Sequence, residues 1–237
     1  LGVGSGKLRV LEQQRRQLVQ SHQYSEAVQI GEEILSIREK TLGPQHPDTG
    51  DSIFSLAYVY YLMGDYTQAE RLYKRSLSIW EKTLGPEHKR VRGVLMNLGN
   101  VYQYMGEYAL AEPMAKRALA ISEKIYGPEH PETAACMYNL GALYERLGEF
   151  EKSKTLNNRA RAIRAKVLGS GHPEILQTQA FYYKEMGDYA RAEQLFKREL
   201  AIYETQDPRD ERKIGHVLGN LALVYELMGD SRAEDFF

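Results

Sequence analysis

The chain repeats itself every 42 residues, and that period constrains the fold more than any other feature. His46, His88, His130 and His172 are each 42 apart, and so are Tyr24, Tyr66, Tyr108 and Phe150. Every one of the four histidines sits in a variant of one phrase: LGPQHPDT from Leu42, LGPEHKRV from Leu84, YGPEHPET from Tyr126 and LGSGHPEI from Leu168. Self-similarity at a fixed period of 20–50 residues marks a repeat architecture. Each unit then buries its apolar face only against its neighbours, so the 237 residues set a number of units rather than a number of closed cores.

The second unit shows what one repeat is made of. After Pro47, Asp48 and Thr49 are candidate helix caps, because their side-chain oxygens accept from orphan backbone amides. Ile53, Leu56, Ala57 and Tyr60 recur at helical spacing. Gly64 and Asp65 break that helix. A second helix starts near Tyr66, with Ala69, Leu72, Tyr73, Leu77 and Ile79 or Trp80 as its apolar face, and Gly85-Pro86 stops it. The unit reads helix, tight turn, helix, loop. Later first helices carry Leu98-Gly99 then Tyr102, Leu140-Gly141 then Tyr144, and Leu221-Ala222 then Tyr225. Small residues at Ala57, Gly99, Gly141, Ala180 and Ala222, and on the second helix at Ala69, Ala111 and Ala192 with Ser153 as a variant, let paired helices approach closely.

These positions resemble the tetratricopeptide repeat (TPR), with its Leu-Gly, Tyr and Ala positions. The 42-residue spacing, the LGxxHP loop and the NLGxxY helix resemble the kinesin light chain type of that repeat. The resemblance implies an all-α fold, a right-handed superhelical α-solenoid of tandem helix-turn-helix repeats, over residues 8–237. The expected units are 8–41, 48–83, 90–125, 132–167, 174–205 and a truncated 211–237, with 1–7 a linker or tag remnant. Three irregularities stand out. The first unit has Gln14-Arg15 where others have Leu-Gly, and reads as a polar terminal cap or a divergent unit. The fifth is short, because Tyr189 follows Phe150 by 39 residues; the loss lies in its first helix or lead-in loop and should change the superhelical path there. The loop TQDPRDERK before the sixth unit abandons the histidine phrase. The sixth unit then breaks off at AEDFF, leaving apolar side chains uncovered, and the missing initiator Met and this ending suggest a fragment.

Composition excludes several functions. Lys and Arg total 31 against 32 Asp and Glu, which supports neither nucleic acid nor an anionic membrane as main partner. No apolar run reaches the ~18–20 residues of a membrane span. The single Cys136 reads as a small buried apolar group in a reducing, cytoplasmic compartment. One histidine per repeat, on units whose packed helices lie ~8–10 Å apart, does not converge on one metal ion, so the His-Pro pairs are read as shaping the loop and starting the next helix. The HKRVR copy, with Lys89, Arg90 and Arg92, reads either as a solvated helix start or as a contact for an acidic partner. P-loop, GxSxG and HExxH signatures are missing. The chain is therefore read as no enzyme, with no cofactor and no metal.

A candidate binding face follows from the resemblance, which places the first helices on the concave side. The residue before each Leu-Gly pair is polar in five units: Ser55, Asn97, Asn139, Thr178 and Asn220. Asparagine carries both a donor and an acceptor and can pair with a peptide backbone. The resemblance implies that role for Asn97, Asn139 and Asn220, and Asn100 points the same way one turn on; bonding to neighbouring helices is the alternative. Phe54, Tyr58, Tyr61, Tyr104, Tyr138 and Phe181 share the face by helical spacing, either as aromatic pockets or as packing between repeats. A clamp for a C-terminal carboxylate would need Lys or Arg one turn earlier, where Asp51, Gly93, Ala135 and His216 stand; Arg146, beside Glu145, is the one central basic residue. The leading expectation is a scaffold that binds a peptide or protein segment with apolar anchors in the groove. The alternative is a catalytically silent regulatory or sensing arm of a larger protease or signalling ATPase. Self-association through the open C-terminal end is a further reading.

Overall fold

The computed structural model describes residues 2–206, 210–230 and 233. Among them run eleven helices: α1 Gly2–Gln20, α2 Tyr24–Leu42, α3 Pro47–Met63, α4 Tyr66–Leu84, α5 Lys89–Tyr104, α6 Tyr108–Tyr126, α7 Pro131–Arg146, α8 Phe150–Leu168, α9 Pro173–Glu185, α10 Tyr189–Glu204 and α11 Glu211–Met228. Successive pairs from α1 to α10 are the helix hairpins of five repeats, and α11 opens a sixth. Residues 2–7, read from sequence as a linker or tag remnant, fall within α1; glycine lowers helix propensity without forbidding a helix. The shortening of the fifth repeat lies in its first helix, since α9 has 13 residues where α7 has 16. The expected uncovered side chains Phe236 and Phe237 lie outside the described residues.

The hairpins form two compact units, Leu1–Ala160 and Arg161–Phe237, where the sequence reads as one array. In the first, Ile53, Leu56, Leu72, Tyr73, Leu95, Leu98, Val101 and Leu143 form one buried cluster. The second has its own core, with Ala180, Ala192, Phe196, Val217, Leu221 and Tyr225. Burying one such Leu or Ile side chain contributes roughly 1.5–3 kcal/mol. Cys136 is buried, with its thiol directed at the Ala118 carbonyl at 3.8 Å and the Met96 sulfur at 3.6 Å.

The recurrent histidines are helix N-caps. His46, His88, His130 and His172 each hold an extended backbone before α3, α5, α7 and α9. Each Nδ1 accepts from the amide two residues on: Asp48 at 3.1 Å, Arg90 at 3.2 Å, Glu132 at 3.1 Å and Glu174 at 3.3 Å. One orphan donor per helix start is thereby satisfied. This corrects the expectation that Asp48 and Thr49 cap α3. The Thr49 hydroxyl instead donates to the Gly43 carbonyl at 2.8 Å, and Thr133 does the same to Gly127. Those hydroxyls latch the loop, whose glycine at 127 has φ +92°, a left-handed conformation costly for other residues. We expect His130→Ala to destabilise the first unit by about 1 kcal/mol in urea denaturation and His130→Asn to restore most of it, because asparagine also accepts at an N-cap. Equal losses in both variants would show that the imidazole acts by packing instead.

Two further periodic contacts link the repeats. Arg75, Arg117 and Arg159, spaced 42 apart, pair with Glu39, Glu81 and Glu123 of the preceding second helix at 2.5, 2.6 and 3.7 Å. They are part-exposed, so each adds ~0–1 kcal/mol and acts chiefly on register. Deeper in, the phenols of Tyr102 and Tyr144 donate to Glu70 and Glu112 of the preceding repeat at 3.1 and 3.3 Å, and Tyr225 donates to Glu193 at 2.8 Å. The repeated tyrosine thus fills the core and satisfies its own polar tip.

Candidate functional site

Four tyrosines gather on one face of the first unit. Tyr58 and Tyr61 stand one turn apart on α3 with ring centroids at 6.2 Å. Tyr61 meets Tyr104 of α5 edge-on at 5.6 Å, and Tyr104 stacks on Tyr66, the first residue of α4, at 5.2 Å and 14°. Tyr61 lies 6.0 Å from Tyr66 and closes the cluster. Burial, followed by its hydrogen bond with Tyr104, pushes the Tyr61 phenol up, so the ring stays neutral. Yet Tyr58 is 42% and Tyr104 61% exposed. Large aromatic surface left in water beside polar groups is the composition of binding hot spots.

The cluster borders a cavity of about 170 Å³ lined by Tyr61, Asn100, Gln103, Tyr104 and Arg146. Three helices build it: α3, α5 and the last turn of α7. Arg146 is exposed. Its neighbour Glu145 is engaged elsewhere, accepting from the Ser153 hydroxyl at 2.9 Å and the Asn157 amide at 3.2 Å on α8. No carboxylate partner for Arg146 is found among the described residues. The site therefore offers a neutral aromatic wall, an amide and an unpaired guanidinium.

Four of the sequence-derived residues, Tyr61, Asn100, Tyr104 and Arg146, thus come together, with Tyr58 stacked at their edge. Ser55, Phe54 and Tyr58 line a second hollow of about 280 Å³ with Arg15, Arg16 and Val19 of α1. Phe54 is chiefly a packing ring, at 5.4 Å from Tyr73 and 5.5 Å from Trp80. Asn97 on α5, with Tyr138 and Asn139 on α7, is half-buried. The amides of Asn97, Asn100, Asn139 and Asn220 make no hydrogen bond among the described residues, so they are not spent on neighbouring helices. Phe181 and Asn220 belong to the second unit. There Phe181 packs edge-on against Phe196 at 5.4 Å under the Lys184 ammonium, which makes it a core-edge ring rather than a free pocket wall.

The reading of Lys89, Arg90 and Arg92 as a contact for an acidic partner needs correction. Arg90 pairs with Asp51 at 2.8 Å and lies over the Trp80 ring, while Arg92 pairs with Glu132 at 2.8 Å. Two of the three charges join consecutive repeats. Sequence reasoning missed Tyr66 and Gln103. Tyr66 was visible only as a period marker, because its ring reaches the face from the first residue of a second helix.

The tetratricopeptide repeat family profile matches residues 17–82, 51–92, 90–166 and 140–205. Among solved structures, the kinesin light chain nearly identical TPR-like repeats of Podosopora anserina are similar at 30% identity and a TM-score of 0.67, covering 87% of this chain and 99% of that one. BtubC (BKLC) from P. vanneervenii is similar in fold, with 22% identity, a TM-score of 0.62 and coverage of 95% and 87%. So is pilF of Pseudomonas aeruginosa, at 15% identity, a TM-score of 0.60 and coverage of 98% and 90%. A comparison with curated proteins finds no significant match.

Proposed function

The chain belongs to the tetratricopeptide repeat family, and from that premise we propose that its first unit holds a polypeptide segment against the tyrosine-lined face of α3, α5 and α7. Repeats of this family are in general protein–protein interaction scaffolds, and the fold is the all-α helix-hairpin stack they share. The groove reading rests on one observation: the half-open cluster of Tyr58, Tyr61, Tyr66 and Tyr104 adjoins a cavity that also presents Asn100 and Arg146. Tyrosine offers contact area at low entropic cost, and its hydroxyl tolerates both free and bound states. The unspent amides of Asn97, Asn100 and Asn139 suit main-chain groups of an extended segment. Arg146 favours a carboxylate close to the apolar anchor. The occupant is therefore an acidic segment with an aromatic or large aliphatic anchor, and the scaffold acts by binding rather than by chemistry.

Selection from a random peptide library tests this on the whole chain and on Asn100→Ala/Tyr104→Ala, two substitutions at surface positions that leave the core intact. The expected result is an enriched motif with an apolar anchor and an adjacent acid, binding the variant at least tenfold more weakly at unchanged helix content. An Arg146→Gln variant should weaken acidic peptides more than their amidated counterparts. No enriched motif, or a motif that the double variant binds equally well, would move recognition away from this face.

A further inference from the structure

The second unit contains a cavity of about 670 Å³ between α9, α10 and α11, remote in sequence from the tyrosine face and independent of its reading. Glu199 of α10 lines it. Glu199 is 1% exposed, and its Oε2 has no hydrogen-bond partner. Counting ten residues from the start of each second helix, the same place holds Ile34 after Tyr24, Ser76 after Tyr66, Ala118 after Tyr108 and Ala160 after Phe150, all buried. The other four repeats place an uncharged side chain there and the fifth supplies a carboxyl. A buried polar group without a partner costs stability and calls for an explanation.

The surroundings indicate what would complete it. Glu174 of α9 brings a second carboxyl to the cavity, and Tyr203 of α10 an aromatic wall. The Tyr203 phenol is pushed up by burial and then by the negative charges of Glu199, Glu174 and Asp210. The cavity therefore lies in a negative field. The one ammonium at its edge, Lys213 of α11, is already placed 3.4 Å from the Asp210 carboxylate and over the Tyr203 ring at 5.3 Å. His172 has its Nδ1 committed to capping α9, and His216 of α11 is exposed. Among the described residues, no three histidine or acidic side chains converge as a metal ion requires.

We infer that this cavity is a binding site for an organic cation, an ammonium or guanidinium on an alkyl stem, whose charged head pairs with Glu199 and Glu174 while its stem lies along Tyr203. A buried carboxylate is a strong acceptor for a charged donor, and an aromatic wall adds to that attraction. A volume of this size admits a Lys or Arg side chain of a bound polypeptide, or a free amine.

Backbone-amide NMR on the whole chain supplies the test, with N-acetyl-lysine methylamide, N-acetyl-arginine methylamide and n-butylammonium as probes. The norleucine and glutamate methylamides serve as neutral and anionic controls. The cations should give saturable shifts around Glu199, Tyr203 and His216, with norleucine at least tenfold weaker. A peptide-embedded lysine binding tenfold more tightly than n-butylammonium would identify a polypeptide source, and equal affinity a free amine. Glu199→Gln should lose tenfold or more while keeping the fold, and Glu174→Gln about threefold. The Glu199 carboxyl is pushed up by burial to about 7. Its ionised fraction therefore rises about tenfold from pH 6 to pH 8, and cation affinity should rise with it. His172, His216, Glu174 and Lys213 also line the cavity; the slope that remains in Glu199→Gln measures the share of groups other than Glu199. Equal binding of norleucine, or wild-type affinity in Glu199→Gln, overturns the assignment. Preferential binding of the glutamate probe also overturns it, and would make this an anion site built on Lys213 and His216.

Discussion

Gly50→Ala is expected to destabilise the first unit by about 2–3 kcal/mol, a fall of roughly 4–12 °C in the thermal midpoint. A Cβ at residue 50 would stand 2.5 Å from the Trp80 Nε1 and 3.1 Å from two further indole atoms. The indole cannot step aside cheaply. Its N–H donates to the Pro47 carbonyl at 3.0 Å, Phe54 packs at 5.5 Å, and the Arg90 guanidinium, tied to Asp51, covers its ring. Moving it would break the hydrogen bond and uncouple α3 from the start of α5. A double-mutant cycle with Trp80→Phe, followed by circular dichroism, isolates the clash: with the smaller ring, Gly50→Ala should cost below about 1 kcal/mol. Equal costs in both backgrounds would mean that the penalty arises elsewhere. Trp80 is the only tryptophan, so its emission reports directly whether Gly50→Ala exposes the indole.

This pair shows where the repeat pattern is legible and where it stops. The period predicts a helix hairpin per 42 residues and a face of small residues, because each repeat solves the same packing problem. It does not say how small each residue must be. At Gly99 a Cβ would meet Met114 and Ala111 at an ordinary 3.7 Å, so the Ala57, Ala180 and Ala222 of other repeats are equivalent to it. At Gly141 a Cβ would lie 2.4 Å from the Asn157 Oδ1, so the Asn157 amide, held by Glu145 and Ser153, would have to turn aside. The difference comes from the partner helix and is invisible in the first helix alone.

The candidate site follows the same division. Helical spacing places Tyr58, Tyr61, Asn100 and Tyr104 on one face, since that needs only the period of the helix. It also places Phe54 and Phe181 there, and both rings turn to the core through contacts with Tyr73, Trp80 and Phe196. Whether an aromatic residue at a half-buried position leans in or out depends on the volume left by the next helix. The arginines of the HKRVR segment show this for charge. Their acidic partners, Asp51 and Glu132, lie in neighbouring repeats, so a local run that reads as a free basic patch is a pair of cross-repeat ties. Glu199 is legible in principle, as a carboxyl at a place where the period puts Ile34, Ser76, Ala118 and Ala160. The three-residue shortening of the fifth repeat moves it out of the 42-residue register, which hides the mismatch from the period.

The second large effect attaches to that residue. Glu199→Gln is expected to raise the stability of the second unit at pH 8 by up to about 3 kcal/mol and to leave it unchanged near pH 4.5. Burial pushes the Glu199 carboxyl up from 4.5 to about 7 in the folded chain. Between those values the folded state holds a proton that the unfolded state has released. Stability therefore falls as pH rises through this window and levels off above it. A displacement of this size corresponds to about 3 kcal/mol at one unit per 1.36 kcal/mol. Glutamine cannot ionise, so urea denaturation of the variant at pH 5, 6, 7 and 8 should lack this slope. Parallel pH profiles for the two proteins would show that the carboxylate is solvated or paired in solution. The same measurement bears on what the cavity holds. A ligand that binds only the folded state adds stability by mass action, so saturating n-butylammonium at pH 8 should restore stability to the wild type and add little to Glu199→Gln. A buried carboxylate that costs the empty protein stability and is relieved by a cation is what a binding site under selection looks like; one that no cation relieves is a packing defect tolerated in a shortened repeat.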